Sequence, residues 1–150
     1  MRRVESIVRG SRGLLVDTSA WIEVFRRPAL VTLDEMVGDR DRIVTCLSVI
    51  QEVLQGFADE NAFRVAHSAM YAFPCVDSPL SPAVVDAAVD LYRRARRAGV
   101  TVRSSVDCLI AASASRHQLT VVHRDRDFGR LATVAGFEHV DISPLLRGRR

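Results

Sequence analysis

The chain has 150 residues, 48% of them apolar and 6% aromatic, which predicts a single domain with an aliphatic core. The formal net charge is +3 and all 21 basic residues are arginine, a choice that we attribute mainly to genomic composition but that suits phosphate contacts. A membrane-spanning helix needs about 18 consecutive apolar residues, and no apolar run in the chain reaches that length. No membrane partner is therefore expected.

The cysteines and the first residues indicate the compartment. Cys46, Cys75 and Cys108 are widely spaced and form no Cys-x-x-Cys pair, so we expect three reduced thiols in the core. The basic start of the chain lacks the apolar segment of a secretory signal. We therefore expect a cytoplasmic protein with a flexible basic N-terminal arm at 1–12 and a basic tail at 147–150.

The predicted elements alternate between strands and helices. Short apolar runs predict strands at 13–16, 42–47, 119–123 and 137–142. Helical spacing and capping residues predict helices at 18–25, at 29–37, from Ser48, at 59–71, from Pro82 to a stop at Gly99, from Ser104 or Ser105 to His117, and at 128–135. This alternation favours an α/β fold, an α/β/α sandwich with a mostly parallel central sheet.

Four acids stand at the ends of strands or near the starts of helices. Asp17 ends the first strand, Asp125 follows the third, and Glu52 and Asp107 lie near the starts of their helices. Because ligand sites form at the carboxyl ends of parallel strands, we expect the four carboxylates to meet at one edge of the sheet. Hard oxygen ligands gathered there suit Mg²⁺, with Mn²⁺ as a substitute, and predict a metal-dependent phosphodiesterase.

Each acid also has a simpler interpretation. Asp17 could accept hydrogen bonds in its turn, and Glu52, opposite the apolar stripe of its helix, could be solvated. Asp107, three residues after a serine, and Asp125, just before a helix, could both belong to helix caps. Residue spacing alone leaves these alternatives open.

Three short motifs occur in a fixed order, with Glu52 between the first and the second. They are Asp17-Thr18-Ser19-Ala20-Trp21, Asp107-Cys108-Leu109-Ile110-Ala111-Ala112 and Asp125-Arg126-Asp127-Phe128. This order resembles the PIN-domain ribonucleases, and among them the VapC toxins of bacterial toxin–antitoxin pairs. The resemblance runs from about 13 to 144 and predicts a PIN-like nuclease domain at 13–146, although His123 replaces the Thr or Ser of many relatives.

The resemblance implies the toxin component of a type II toxin–antitoxin module. Such a protein would be an endoribonuclease that cleaves tRNA, rRNA or mRNA at selected sites. It would form a homodimer through helices of its N-terminal half. A VapB-like antitoxin would occupy the acidic groove with its tail and place an arginine among the carboxylates.

The predicted chemistry assigns the acids to one metal site. Asp17 and Asp107 are expected to be the principal ligands, and Asp125 and Glu52 to complete the coordination directly or through water. Carboxylates packed this closely repel one another, which one or two Mg²⁺ ions would relieve. The metal would activate a water for attack on the phosphodiester.

Further polar residues flank these acids in sequence. Asp127, Ser19 and Ser104 are candidates to support the ligands from a second layer. Arg103, Arg124 and Arg126 are candidates to bind substrate phosphates, although arginine beside aspartate is also the ordinary pattern of a structural ion pair.

Three other classes of protein share parts of this pattern with a nuclease. A non-catalytic PIN-like protein that binds RNA or regulates through its partner would keep the acids but not the reaction. A phosphoacceptor receiver domain fits poorly because the chain has no lysine. A nucleotide-binding Rossmann domain fits poorly because no glycine-rich phosphate loop is present.

Overall fold

The central sheet positions two of the candidate acids, Asp17 and Asp125, which follow two of its strands. The computed structural model describes residues 12–27, 32–37 and 42–147, so most of the predicted arm and tail lies outside the described residues. The strands are β1 (Leu14–Val16), β2 (Ile43–Val44), β3 (Thr120–His123) and β4 (His139–Asp141). The helices are α1 (Thr18–Arg26), α2 (Leu33–Val37), α3 (Leu47–Leu54), α4 (Glu60–Ala72), α5 (Pro82–Arg97), α6 (Ser105–His117), α7 (Arg126–Ala135) and α8 (Ser143–Arg147).

The four strands are parallel and lie in the order β2-β1-β3-β4. Leu14 of β1 lies opposite Ile43 on one side and Thr120 on the other. All three residues of β1 are 0% exposed, as expected for a strand covered on both faces. The predicted parallel sheet is therefore confirmed.

The strand order creates a crevice between β1 and β3. From β1 the chain passes to β2 on one side, whereas β3 lies on the other side of β1. The connections that leave β1 and β3 therefore diverge, and parallel sheets bind ligands at such switch points. Asp17 directly follows β1, and Asp125 follows β3 with one residue between them, so both border the crevice.

The helices pack in two groups. Helices α5, α6 and α7 contact one another, and α1 and α4 both contact α3. The buried residues of α5 form one stripe of small and aliphatic side chains, Val84, Ala88, Leu91 and Ala95. Trp21 of α1, 2% exposed, stacks on Phe25 and contacts Phe73, so it is part of the core.

Several predicted boundaries were wrong. The second strand is shorter than predicted, because Cys46 already caps α3, and Thr45 instead forms a parallel bridge with Cys75. Helix α3 begins at Leu47, and the α7 helix begins at Arg126 because Asp125 caps it. The helix predicted at 29–37 is described only as α2, since residues 28–31 lie outside the described ranges.

The cysteine prediction holds in part. All three cysteines are free thiols, and Cys46 and Cys108 are buried, but Cys75 is exposed in the segment that follows α4. None of the helices in the described part of the chain is long and apolar enough to cross a membrane.

Candidate metal centre

Asp17 is the acid at the end of β1. Its carboxylate accepts hydrogen bonds from the Ser19 backbone N–H at 2.9 Å and from the Ser19 hydroxyl at 2.5 Å, and it caps α1. The side chain is only 5% exposed. Burial raises the pKa of Asp17, the Ser19 hydrogen bonds oppose this rise, and the negative charge of Glu52 adds to it.

Glu52 reaches the same place from α3. Its Oε2 accepts a hydrogen bond from the Thr18 hydroxyl at 2.9 Å, across 34 positions of sequence. Thr18 adjoins Asp17, so this contact holds the Glu52 carboxylate beside the end of β1. Thr18 was not among the predicted site residues. Its position between Asp17 and Ser19 is the one signal in the sequence that could have indicated its role in holding Glu52.

Three further carboxylates gather on the other side of the crevice. Asp107 lies in the first turn of α6, Asp125 caps α7, and Asp127 lies in the first turn of α7. Their nearest ligand oxygens are within 4.8 Å of one another. Asp127, placed in the second layer by the sequence analysis, is thus part of this trio, whereas Asp17 and Glu52 lie outside it.

The pKa of Asp107 shows that the acids share one electrostatic environment. Its pKa is raised to about 7, first by burial and then by the charges of the other four acids, Asp17, Asp125, Asp127 and Glu52. All the acids that the sequence analysis singled out therefore act on Asp107. Hard oxygens under mutual repulsion in a partly buried crevice are a donor set that fits Mg²⁺ or Mn²⁺.

The predicted arginines differ in what they contact. Arg103 donates to Asp127 at 2.9 Å and to Asp125 at 3.1 Å. The guanidinium of Arg124 is engaged by Glu23, a buried acid of α1. Arg126 is exposed, and its side chain pairs with no other described residue. Of the three, Arg126 is the cation available to an incoming phosphate.

The two predicted serines also differ. The Ser19 hydroxyl donates to Asp17 and accepts from the Arg124 backbone N–H at 3.0 Å, so it ties the end of β1 to the residue after β3. Ser104 caps α6 by position, but its side chain makes no capping hydrogen bond.

Two of the simpler interpretations hold, since Asp17 accepts hydrogen bonds in its turn and Asp125 is a helix cap. Asp17 caps α1 and Asp125 caps α7, where its Oδ1 accepts from the Asp127 backbone N–H at 3.0 Å. Both carboxylates also act on the pKa of Asp107 while they cap their helices. Capping and membership of the cluster are therefore compatible, because a carboxylate offers two oxygens and about four lone pairs.

Comparisons with known proteins agree with this arrangement. Residues 14–134 match the PIN domain family. The chain is 37% identical over 135 residues to ribonuclease VapC11 of Mycobacterium tuberculosis and to VapC ribonuclease Mb1587 of Mycobacterium bovis, covering 83% of this chain and 96% of each relative.

Similar solved structures show the same fold. One is the DNA-bound VapBC complex of Salmonella typhimurium, with a TM-score of 0.71 at 19% identity over 86% of this chain and 97% of that chain. Another is VapBC-5 of Mycobacterium tuberculosis, with a TM-score of 0.62 at 22% identity over 87% of this chain and 98% of that one. The chain belongs to the PIN-domain family and, within it, to the VapC ribonucleases.

Proposed function

We propose that this protein is a Mg²⁺-dependent endoribonuclease and the toxin component of a type II toxin–antitoxin module. The observation that carries the proposal is the position of Asp107 within the field of four other acids at the switch point of the sheet. The relatives at 37% identity are named ribonucleases, which supports RNA as the substrate class. The nuclease domain would span 13–146 and act in the cytoplasm.

The proposed metal ligands are the four acids of the sequence analysis, Asp17, Glu52, Asp107 and Asp125. The oxygens of Asp127 lie close enough to two of them that we include it as a direct or water-mediated ligand. A bound Mg²⁺, or Mn²⁺ in its place, would lower the pKa of a coordinated water and polarise the scissile phosphate.

The chain's own side chains would prepare this chemistry. The Thr18 hydroxyl holds Glu52, and the Ser19 hydroxyl holds Asp17, so both carboxylates are oriented before a ligand arrives. Arg126 stands exposed next to Asp125 and would bind the phosphate of the substrate. Arg103 neutralises Asp125 and Asp127 in the absence of other cations, and it would turn to the phosphate when a metal takes over that role.

A VapB-like antitoxin is the proposed protein partner, since three of the similar solved structures are named VapBC. A cavity of about 260 Å³ between α1 and α3 offers it a binding place. It is lined by Ile22, Phe25, Arg26, Glu52, Val53, Gly56, Phe57, Ala58 and Asp59. Its apolar walls suit apolar side chains of the partner, and Glu52 at its border suits an arginine that would compete for the acids.

A homodimer is proposed as the state in solution, and the structure favours α5 and α6 as the interface, not the helices of the N-terminal half. Val85 and Val89 are 40% and 52% exposed on α5. They border an apolar groove of about 310 Å³ whose other lining residues are Ala88, Tyr92, Ser105, Cys108 and Leu109.

The charges beside this groove are complementary to those of the same surface on a second copy of the chain. Asp86 and Arg93 each come directly after a lining residue of α5, Val85 and Tyr92, and lie about two helical turns apart. Neither forms an ion pair with any described residue. A two-fold axis across the middle of α5 would bring Asp86 of one copy near Arg93 of the other, twice in each dimer. A second copy of this chain therefore fits the groove in both polarity and charge.

One experiment tests the reaction class and the target together. Wild type, Asp17→Asn and the control Glu138→Gln, which changes an exposed acid before β4, would be incubated with total cellular RNA in Mg²⁺ or in EDTA, and new 5′ ends mapped. Discrete cuts that need Mg²⁺, persist in the control and vanish in Asp17→Asn are expected. RNA binding without cuts in wild type would favour the non-catalytic alternative.

A further inference from the structure

Two histidines pack side by side at the ends of neighbouring strands, next to the acid cluster. His123 is the last residue of β3 and is 1% exposed. Its Nε2 lies 3.0 Å from Nδ1 of His139, the first residue of β4. The His123 ring also packs against Phe128, and a Cβ added to Gly129 would lie 3.6 Å from the His139 ring. Both rings therefore lie beside α7.

One hydrogen bond assigns the protons of both rings. The backbone N–H of Asp125 points at Nδ1 of His123, at 3.1 Å. Since a backbone N–H can only donate, Nδ1 must carry a lone pair, and the proton of a neutral His123 ring is on Nε2. That proton is then donated to His139, whose Nδ1 must also carry a lone pair, so His139 bears its own proton on Nε2.

The environment of His123 agrees with a neutral ring. Burial, and then the neighbouring His139, lower the pKa of His123 to about 4. The acids nearby, Asp141 and Asp125, act in the opposite direction and do not overcome the burial. The direction of this shift agrees with the acceptor role that the hydrogen bond from the Asp125 backbone N–H already assigns to Nδ1.

The backbone N–H that donates to His123 belongs to Asp125, the acid that links the acid cluster to the end of β3. Asp125 Oδ1 accepts from the Asp127 backbone N–H and from Arg103, so the direction of this carboxylate depends on where its backbone is held. The main chain leaves β3 at His123, the Arg124 backbone N–H donates to the Ser19 hydroxyl, and the next backbone N–H, that of Asp125, donates to the His123 ring.

We propose that His123 is a positioning residue for the acid site: its Nδ1 holds the Asp125 backbone, and His139 fixes the proton of His123 on Nε2. The proposal rests on the proposed function only in that Asp125 serves there as a ligand. The structural part, the proton positions and the held amide, stands independently of any reaction.

The test uses side chains that keep or remove the acceptor. His123→Asn places an amide oxygen near the position of Nδ1, His123→Gln places it near Nε2, and His123→Leu has none. His139→Leu removes the acceptor of the His123 Nε2 proton. Because His139 is only partly buried, we expect this variant to fold even if the His123 variants do not. His67→Leu, on the exposed face of α4, is the control.

Three readouts are measured on the full chain. Long-range ¹H–¹⁵N spectra of the wild type report which ring nitrogens carry protons. Hydrogen exchange reports the protection of the Asp125 amide without added metal. Titration with Mn²⁺ reports the affinity of the acid site, which changes of residues that orient ligands typically lower by about 10–100-fold.

We expect both rings to be protonated on Nε2 in the wild type. His123→Leu and His123→Gln should lose the protection of the Asp125 amide and bind Mn²⁺ at least about tenfold more weakly. His123→Asn should keep both, His139→Leu should reduce both, and the control should change neither.

Protonation of His123 on Nδ1, or unchanged amide protection and Mn²⁺ affinity in His123→Leu, would overturn the proposal. Equal losses in His123→Asn and His123→Leu would also overturn it, because they would indicate a role of ring packing alone. If wild type neither binds Mn²⁺ nor cuts RNA, the proposed function fails, and the ring spectra and amide exchange still decide this inference.

Discussion

Arg103 lies on a carboxylate that is almost completely buried: its Nε donates to Oδ2 of Asp127 at 2.9 Å, and Asp127 is 1% exposed. The guanidinium itself remains largely in solvent and has a second contact with Asp125. An exposed cation thus provides the neutralising charge for a buried acid, at the place where we propose that a metal binds. A divalent ion and Arg103 therefore offer the cluster the same kind of compensation.

Replacement of this arginine tests that competition. Arg103→Gln should lower the thermal midpoint of the metal-free protein, because Asp127 loses its closest cation and, among the described residues, keeps Arg130 at 3.6 Å. Mg²⁺ should then raise the midpoint more in Arg103→Gln than in wild type. Differential scanning fluorimetry over a Mg²⁺ series measures both effects, and Arg126→Gln, which removes a cation without an ion pair, is the control. An equal response of the two variants would argue against the competition.

Thr18 provides a test of how Glu52 is oriented. Thr18→Val has nearly the same shape but lacks the hydroxyl that donates to Glu52. We expect RNA cleavage and Mn²⁺ affinity to fall by about tenfold, as for other residues that orient metal ligands. Thr18→Ser, which retains the hydroxyl, should behave as wild type. A similar loss in both variants would indicate that packing of the Thr18 methyl group, and not its hydrogen bond, is responsible.

The raised pKa of Asp107 predicts a pH dependence of stability without metal. The folded pKa of Asp107, about 7, lies above its ordinary value of 3.8, so between these two values the folded state holds a proton that the unfolded state has lost. Stability from this group is complete below about pH 4 and falls as the pH rises to about 7. The loss should be on the order of 1–2 kcal/mol once screening by solvent is allowed for.

Asp107→Asn removes this titration. Urea unfolding in EDTA from pH 4 to pH 8 should find the variant relatively more stable than wild type as the pH rises. Mg²⁺ should stabilise wild type more at pH 8 than at pH 5, since the metal binds the carboxylate and not the acid. A constant stability difference across the whole range would contradict the assignment of the proton to Asp107.

The proposed dimer can be tested by exchanging charges. Asp86→Arg and Arg93→Asp should each weaken self-association by several-fold, because each would place like charges together twice in the two-fold pair. The double variant should restore much of the affinity, and Val89→Glu should abolish association by placing a charge in the apolar groove. Sedimentation velocity measures the equilibrium, with Glu138→Arg as a surface control. Failure of the double variant to recover would exclude the proposed pairing.

The amino-acid sequence by itself determined the features that depend on near neighbours. The uninterrupted apolar run of β1 and the helical stripe of α5 predicted a covered parallel sheet and a buried helix face. The placement of Asp17 at a strand end and of Asp107 in a first helical turn followed from the same local patterns. These signals survive in sequence because residues up to four positions apart share a strand or a helix face.

Only the tertiary structure decided which distant groups meet. Arg124 and Arg126 are two positions apart, yet one is held by Glu23, 101 positions away, and the other faces solvent. The contact of Thr18 with Glu52 and that of His123 with His139 likewise join separate elements. The physical reason is that such contacts depend on strand order and helix packing, and no periodicity along the chain records which strand lies beside which.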